Sequence, residues 1–381
     1  MAFELPPSSA KRLDDLYKRL QDDVERFVGY PCTAEIDYRE LFRFLEFPIN
    51  NVGDPYKDGT LKLHTHDFER EVIDWFGRLL QAPENSFWGY VTNGGTEGNL
   101  YGLYLARELF PSGMTYYSED THYSVAKNLR VLNMQNIMIN SQPSGELDYE
   151  DLRETIKINR HIPPIIFANI GTTMREGIDR IDRIREILDE LAIPGFYIHC
   201  DAALAGMTLP FIDGAPEFDF SERVDSISIS GHKFIGSPIP CGLVLADRNN
   251  VQRIARSIEY VGTLDTTITG SRNAFSPLIL WYAIQRWGYD GFKERVASCL
   301  ENAEYAVKKF LENGVEAWKN PHAITVVFPR PSDEIIERWQ IAVQEEIGHL
   351  LVMPHVTREL IDEFVADYLN HPDTSSSAAD S

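Results

Sequence analysis

Cysteine is scarce in this sequence: four in 381 residues, Cys32, Cys200, Cys241 and Cys299, with no Cys-x-x-Cys pair. That spacing offers neither a disulfide framework nor a zinc ribbon, and it fits a reducing compartment. Basic residues are also in deficit, 36 Lys and Arg against 58 Asp and Glu, for a net charge of −22. Such an excess of carboxylates repels phosphates, which argues against nucleic acid as a partner. No apolar run approaches the roughly 18 residues that span a bilayer. The opening Met-Ala-Phe-Glu-Leu-Pro-Pro-Ser-Ser has no basic region followed by an apolar one, so neither a membrane span nor a secretory signal is expected. No internal repeat is present. What remains is an ordinary globular composition, 43% apolar and 25% charged, long enough for a large core in two or three domains. A cytoplasmic protein acting on small molecules is the expectation.

Periodicity supplies the elements. An amphipathic helix is predicted over residues 8–28, with Leu13, Leu16, Tyr17, Leu20 and Val24 on one face. A short helix over Tyr38–Phe47 follows, then a turn-rich loop to Pro55, then a helix from Thr65, its N-cap, to Leu80. Beyond it, short apolar strands alternate with helices: Phe87–Thr92, Thr115–Ser118, Gln135–Gln142, Pro164–Thr173, Gly195–Ala203 and Ser226–Ser230 read as strands. That alternation describes right-handed βαβ crossovers and a mainly parallel sheet covered on both faces. Gly242–Ala246 adds a strand, Asn250–Val261 reads as a helix and 262–273 as a polar loop. Helices at Ser276–Arg286 and Phe292–Asn313 flank a break at Gly288–Gly291. Strands at Gly314–Lys319, Ile324–Phe328 and His349–Met353, with helices at Glu334–Ala342 and Arg358–Tyr368, suit a small α+β domain. Residues 371–381, rich in Ser, Asp and Ala, are expected to be disordered. The boundaries expected are therefore 1–57 for an N-terminal helical segment, 58–290 for a large domain, 291–370 for a small one and 371–381 for the tail.

The chemistry gathers at strand ends, where open α/β sheets bind ligands. In Ser226-Ile-Ser-Ile-Ser-Gly-His-Lys233, isoleucine and serine alternate as in a strand with one face buried, and the strand delivers His232 and Lys233 to a fixed point. A lysine held there is a candidate imine-forming amine, the group that carries pyridoxal phosphate or captures a carbonyl substrate. Asn93-Gly-Gly-Thr-Glu-Gly-Asn99 joins a strand to a helix and points free backbone N–H groups at an anion. It is neither a Walker A loop nor a Gly-x-Gly-x-x-Gly fingerprint, so a single phosphate suits it better than a nucleotide. Asp201 ends another strand and His122 begins a helix. Together they match what pyridoxal phosphate requires: Lys233 to hold it, Asp201 to pair with its ring nitrogen, the Gly95/Thr96 helix start with Ser230 and His232 for its phosphate, and His122 and small Ala203 on its two faces.

The run Tyr90-Val-Thr-Asn-Gly-Gly-Thr-Glu-Gly-Asn99, with Asp120-Thr-His-Tyr-Ser124, Ala168-Asn-Ile-Gly-Thr-Thr173, His199-Cys-Asp-Ala-Ala203, Ser230-Gly-His-Lys233 and Gly270-Ser-Arg-Asn273, resembles the group II pyridoxal-phosphate-dependent amino acid decarboxylases. Within them it is most similar to bacterial histidine decarboxylases and plant serine decarboxylases, from about Tyr30 to Asp367. The resemblance implies fold type I, an α/β architecture with a seven-stranded, mostly parallel sheet, a small C-terminal α+β domain and a homodimer with sites at the interface. It implies catalytic roles for Lys233, His122 and Asp201, and cofactor contacts for Gly95, Thr96, Thr173, Ala203, Ser230 and His232. The loop at Gly270-Ser271 is expected to reach the partner's phosphate.

Substrate signals divide. Asn51–Pro55 and His349–Pro354 are closer to the serine enzymes, Cys200–Met207 and Thr267–Gly270 to the histidine enzymes. Ala274-Phe275 replaces the Gly-His usual in both, a change that could reshape a pocket near the interface. Histidine is the narrow preference, with serine decarboxylation to ethanolamine or another lyase of the same fold as alternatives. An aminotransferase is disfavoured by Asp120-Thr-His122. A metal site at His64-x-His66 or His199-x-Asp201 lacks a supporting motif, so no metal is expected. A non-catalytic cofactor-binding protein is the remaining rival.

Overall fold

The computed structural model describes residues 5–33, 35–57, 59–258 and 263–371. The disordered tail expected from 371 therefore falls, beyond His371, outside the described residues. In chain order the first elements are α1 (Pro7–Val24), a 3-10 turn (Arg39–Glu46), β1 (Asn50–Val52) and α2 (His66–Leu79). The alternating region follows as β2 (Phe87–Thr92), α3 (Gly95–Leu109), β3 (Met114–Ser118), α4 (Ser124–Val131), β4 (Gln135–Ile139), α5 (Tyr149–Ile158), β5 (Pro164–Asn169), α6 (Ile181–Glu190), β6 (Tyr197–Asp201), β7 (Ser226–Ser230) and β8 (Gly242–Asp247).

These strands form one sheet in the order β2-β8-β7-β6-β5-β3-β4. Strands β3 to β7 run parallel, and β8 lies antiparallel to both of its neighbours. Alternate side chains serve two apolar clusters: Ile166 and Ala168 of β5 point into one, Ile165 and Phe167 into the other. Burial on both faces is why β5 reads as an unbroken apolar run. Asp148 caps α5 as expected, accepting from the N–H groups of Glu150 and Asp151.

The remaining elements are α7 (Arg248–Ile254), β9 (Arg256–Ile258), β10 (Thr263–Asp265), β11 (Ser271–Asn273), α8 (Phe275–Glu312), β12 (Thr325–Pro329), α9 (Asp333–Trp339), β13 (Ala342–Gln344), β14 (Ile347–Leu351) and α10 (Arg358–Asn370). A second, three-stranded antiparallel sheet, β12-β14-β13, builds the small C-terminal domain with its helices. The fold is thus α/β, fold type I in plan.

Several expectations need correction. The helix expected over Asn250–Val261 stops at Ile254, because Arg256–Ile258 pairs antiparallel with Thr263–Asp265; 259–261 lie outside the described residues. The polar loop ahead of α8 also pairs, β11 joining β1. Gly314–Lys319 is no strand: only Trp318 bridges, to Val327. The helix after Ser332 ends at Trp339 with Gln340 in the left-handed region, and Ala342 belongs to β13. The break at Gly288–Gly291 is a kink at Gly288 (φ 57°) within α8. Thr65 holds the N-cap position of α2 as expected but makes no side-chain cap bond; its hydroxyl donates to the Ala274 carbonyl at 2.7 Å.

The largest correction concerns β7. Its serines do not face water: all five residues are buried, and the serine face lies beneath α3. The helix can approach because Gly95, Gly98 and Gly102, spaced by one helical turn, share the face turned to the sheet. A Cβ on Gly98 would stand 2.2 Å from Ser228 Oγ, and one on Gly102 would stand 2.1 Å from His199 Nδ1.

This packing predicts the sign of a substitution. Gly→Ala inside a free helix gains up to about 1 kcal/mol. Gly102→Ala should instead lose about 1–3 kcal/mol, because the ring of His199 has nowhere to move. Thermal denaturation checks it, and a melting temperature at or above wild type would refute the close contact.

Candidate active site

A cavity of about 320 Å³ opens along the C-terminal edge of the parallel strands. Five segments that leave that edge supply its floor. Gly95 and Thr96 follow β2, His122 follows β3, Thr173 follows β5, Asp201 and Ala203 close β6, and Ser230, His232 and Lys233 close β7. All nine residues singled out from the sequence line this one cavity.

Lys233 is half-buried at the edge of the open space. Burial pulls its pKa below the usual lysine value, against the opposing attraction of Asp201, Cys32 and Glu176. The uncharged amine, which is the nucleophilic form, is thereby favoured. Asp201 accepts from Asn99 Nδ2–H at 2.7 Å and from the Ala203 backbone N–H at 3.2 Å. The imidazole of His122 is pulled below its ordinary pKa by burial, with Asp201 pulling the other way. Ser124 stands 2.8 Å from its Nδ1 through the hydroxyl and 3.4 Å through the backbone N–H. Since that N–H can only donate, Nδ1 is the acceptor and the proton sits on Nε2.

The anion cradle is equally defined. Gly94 adopts φ 142°, a value open to glycine, and turns the chain into α3. Glu97 accepts from the Asn93 backbone N–H, which leaves the first N–H groups of α3 aimed at the cavity. A Cβ on Gly95 would lie 2.8 Å from Ser230 Oγ, so only glycine leaves the cradle open. His232 is directed by its Nδ1, 2.8 Å from the Cys241 carbonyl, and Nε2 remains available to a ligand.

The structure adds residues that the sequence reading did not assign. Asn99 sits one turn beyond Gly95 on the same helix face, and His199 lies two residues before Asp201 on the same strand face. Both periodicities were available as signals. Asn169 also lines the cavity; its backbone N–H and Nδ2 both donate to Asp179 Oδ2, its carbonyl accepts from the Asp179 N–H, and its Nδ2 pins Ser118 and Thr121 ahead of His122. The opposite wall comes from Gly29–Pro31 and from Ala342, His349 and Leu351 of the small domain. Ala274 and Phe275 are absent from it. They are buried, Phe275 in an apolar cluster with Tyr38 and Leu41, so this departure serves packing in the chain. His64 and His66 stack at 4.5 Å away from the cavity, and the described residues contain no group of three or more metal-ligating side chains.

Comparison with known proteins accords with this geometry. The family described as the pyridoxal-dependent decarboxylase conserved domain matches residues 63–329. The chain belongs to the pyridoxal-dependent decarboxylases. Histidine decarboxylase of Mesorhizobium japonicum is 46% identical over 366 residues, covering 96% of this chain and 99% of the relative. That of Morganella morganii is 47% identical over 351 residues, covering 90% and 93%. Among solved structures, L-methionine decarboxylase of Streptomyces sp. 590 superposes with a TM-score of 0.89 at 28% identity, over 97% of this chain and 96% of that one. This decarboxylase is a carboxy-lyase that uses pyridoxal 5′-phosphate, and the cavity fits it: a buried amine, a cradle that a Cβ would fill, and a buried carboxylate. Among the described residues no helix is long and apolar enough to cross a membrane.

The two domains are joined at the cavity wall. Glu176, fully buried in the turn after Thr173, accepts through Oε2 from the N–H groups of Ile324 and Thr325 and from the Thr325 hydroxyl. Burial raises its pKa to about 7 from an ordinary 4.5. The folded state therefore binds more protons than the unfolded state between these values, and stability falls as pH rises through that window. Glu176→Gln removes this titration. From pH 4.5 to 7 wild type should lose about 3 kcal/mol relative to the variant, measured by denaturant unfolding at each pH; parallel curves would refute it.

Proposed function

We propose that this enzyme decarboxylates L-histidine to histamine, with Lys233, Asp201 and His122 as its catalytic residues. The observation that carries the site assignment is the convergence of nine residues from five strand ends on one cavity. The relatives named histidine decarboxylase, at 46% and 47% identity over nearly the whole chain, favour histidine over serine.

Pyridoxal phosphate, when bound, supplies a ring that accepts the electron pair left on the substrate's α-carbon. The protein does the rest. Lys233 Nζ would hold the cofactor covalently as its anchor. Asp201 holds a proton on the ring nitrogen. The first N–H groups of α3, with Ser230 and His232, hold the phosphate, and Thr173 lies alongside. His122 would cover one ring face, and Ala203, lacking bulk, would let the chain close on the other. The bond from Cα to the carboxylate breaks, CO₂ departs, and Cα takes up one proton, so each turnover consumes a proton. Excluding water strengthens the pairing of Asp201 with the ring and suppresses side reactions.

We place the enzyme as a homodimer in a reducing, cytoplasmic setting. The apolar face of α1, with Leu13, Leu16, Tyr17 and Leu20 exposed, supports a partner subunit, and four unpaired cysteines support the setting. The Gly270-Ser271 loop, exposed in the chain, would serve the partner's phosphate in that dimer. The division at 57/58 and 290/291 belongs to the same reading; the long helix α8 would then pass from the large domain to the small one near its kink.

Two measurements test the proposal. The holoenzyme incubated with each common amino acid should form histamine and CO₂ from histidine; ethanolamine from serine instead would overturn the substrate. Lys233→Ala should lose the visible absorbance of lysine-bound cofactor and on the order of 10³-fold or more of turnover. Retention of both would remove Lys233 from the mechanism.

A further inference from the structure

Beneath the cavity floor a line of buried polar side chains runs from the middle of the sheet to Asp201. Tyr197, His199 and Asp201 alternate along one face of β6, and Ser226 stands beside them on β7. The Tyr197 hydroxyl donates to Ser226 Oγ at 2.9 Å. Ser226 Oγ lies 2.7 Å from His199 Nδ1, and His199 Nε2 lies 3.0 Å from Asn99 Oδ1. Asn99 Nδ2 then donates to Asp201 Oδ2. Tyr197, Ser226 and His199 are wholly buried, and Asn99 is 2% exposed.

Every proton in this line is fixed by its two ends. An ionised Asp201 can only accept, so Asn99 must turn its NH₂ toward it and its carbonyl toward His199. His199 must therefore carry its proton on Nε2. Burial holds the ring neutral, its pKa down at about 3, so Nδ1 must accept, and the proton comes from Ser226. The lone pair left on Ser226 receives the Tyr197 hydroxyl. Each group donates in the same direction, and such chains strengthen by mutual polarisation.

We infer that Tyr197, Ser226, His199 and Asn99 form a one-way hydrogen-bond relay that positions the Asp201 carboxylate for the cofactor's ring nitrogen. The members are positioning residues; they need not touch the cofactor. The inference rests on the reading of Asp201 as the partner of that nitrogen. The relay also gives β6 and β7 a use for polar side chains in an otherwise dry layer, since an unsatisfied member would cost more than an apolar replacement.

The holoenzyme of each variant is dialysed against cofactor-free buffer, and retained cofactor is read from its visible band. His199→Leu breaks the line and should lose cofactor about tenfold faster or more. His199→Gln, whose amide can both accept from Ser226 and donate to Asn99, should stay within about twofold of wild type by the same donor count. Asn99→Asp sets two carboxylates at hydrogen-bonding distance, which cannot both ionise. Its rate and visible band, relative to wild type, should recover as pH falls and the pair takes up a proton. Equal losses in the two His199 variants, or an Asn99→Asp to wild-type ratio constant across pH, would overturn the relay. Should His199→Leu fail to fold, Tyr197→Phe, which removes one hydroxyl, must still accelerate cofactor loss, or the inference fails. Asp201→Ala separates the two ideas. If that variant keeps cofactor and rate, the reading of Asp201 falls; if it is crippled while the relay variants match wild type, only the relay falls.

Discussion

The close seating of α3 on strands β6 and β7 is the constraint on which this site depends. The helix presents Gly95, Gly98 and Gly102 to the sheet, and any larger residue at the last two would overlap Ser228 or His199. Seated there, α3 does three things at once. Its first turn forms the anion cradle, its Asn99 meets Asp201, and its bulk seals a polar layer from water. A helix held farther away by a row of methyl groups would lose all three. The serine face of β7 follows from the same contact: Ser228 donates to the Gly95 carbonyl, where a larger apolar side chain would hold the helix off.

Sealing that layer sets the electrostatics. A lysine amine surrounded by protein favours its neutral form, and a neighbouring carboxylate favours the charged one; for Lys233 burial is the larger effect. The scaffold must hold its loops rigidly for such a balance to persist. Arg272 and Glu69, both buried, form the fastening. Glu69 accepts from Arg272, from Asn51 and from the Val91 N–H, while Arg272 donates to the Gly53 carbonyl at 3.1 Å. The pair ties the N-terminal segment and β11 to β2, the strand that leads into the glycine turn. Removing one partner of such a buried pair costs about 3–5 kcal/mol, so these loops are not free to drift.

Much of this was legible in the sequence, because strands betray themselves by composition and their ends by a change of residue type. Asp201, Lys233 and the glycine turn each stand where an apolar run stops. The alternation of β7 was read correctly as a strand and wrongly as half-exposed, since serine beside isoleucine signals period two but not what covers the polar side. What covers it is α3, about 130 residues earlier in the chain, and no local pattern carries that. Residues 256–258 and 263–265 misled for a related reason. Their ladder is made by antiparallel pairing between the two segments, and helical periodicity in a short polar stretch cannot weigh against it. His199 was readable in principle, two residues from Asp201, but its purpose needed the helix above it.

The same geometry bears on selectivity. All nine residues proposed for cofactor and chemistry rise from one edge of the sheet, and on that proposal they serve the ring, its phosphate and the reacting carbon. On the same proposal a substrate side chain would face the opposite wall, where Gly29–Pro31 meets Ala342, His349 and Leu351. That wall is assembled from the two ends of the chain, with His349 lying between the carbonyls of Gly29 and Met174 at 3.1 and 3.3 Å. Because His349 touches both the N-terminal segment and the turn that Glu176 ties to β12, the wall cannot shift without disturbing the seam between domains. On that proposal, discrimination among amino acids would be coupled to how the small domain is held, while the residues on the sheet edge could stay the same.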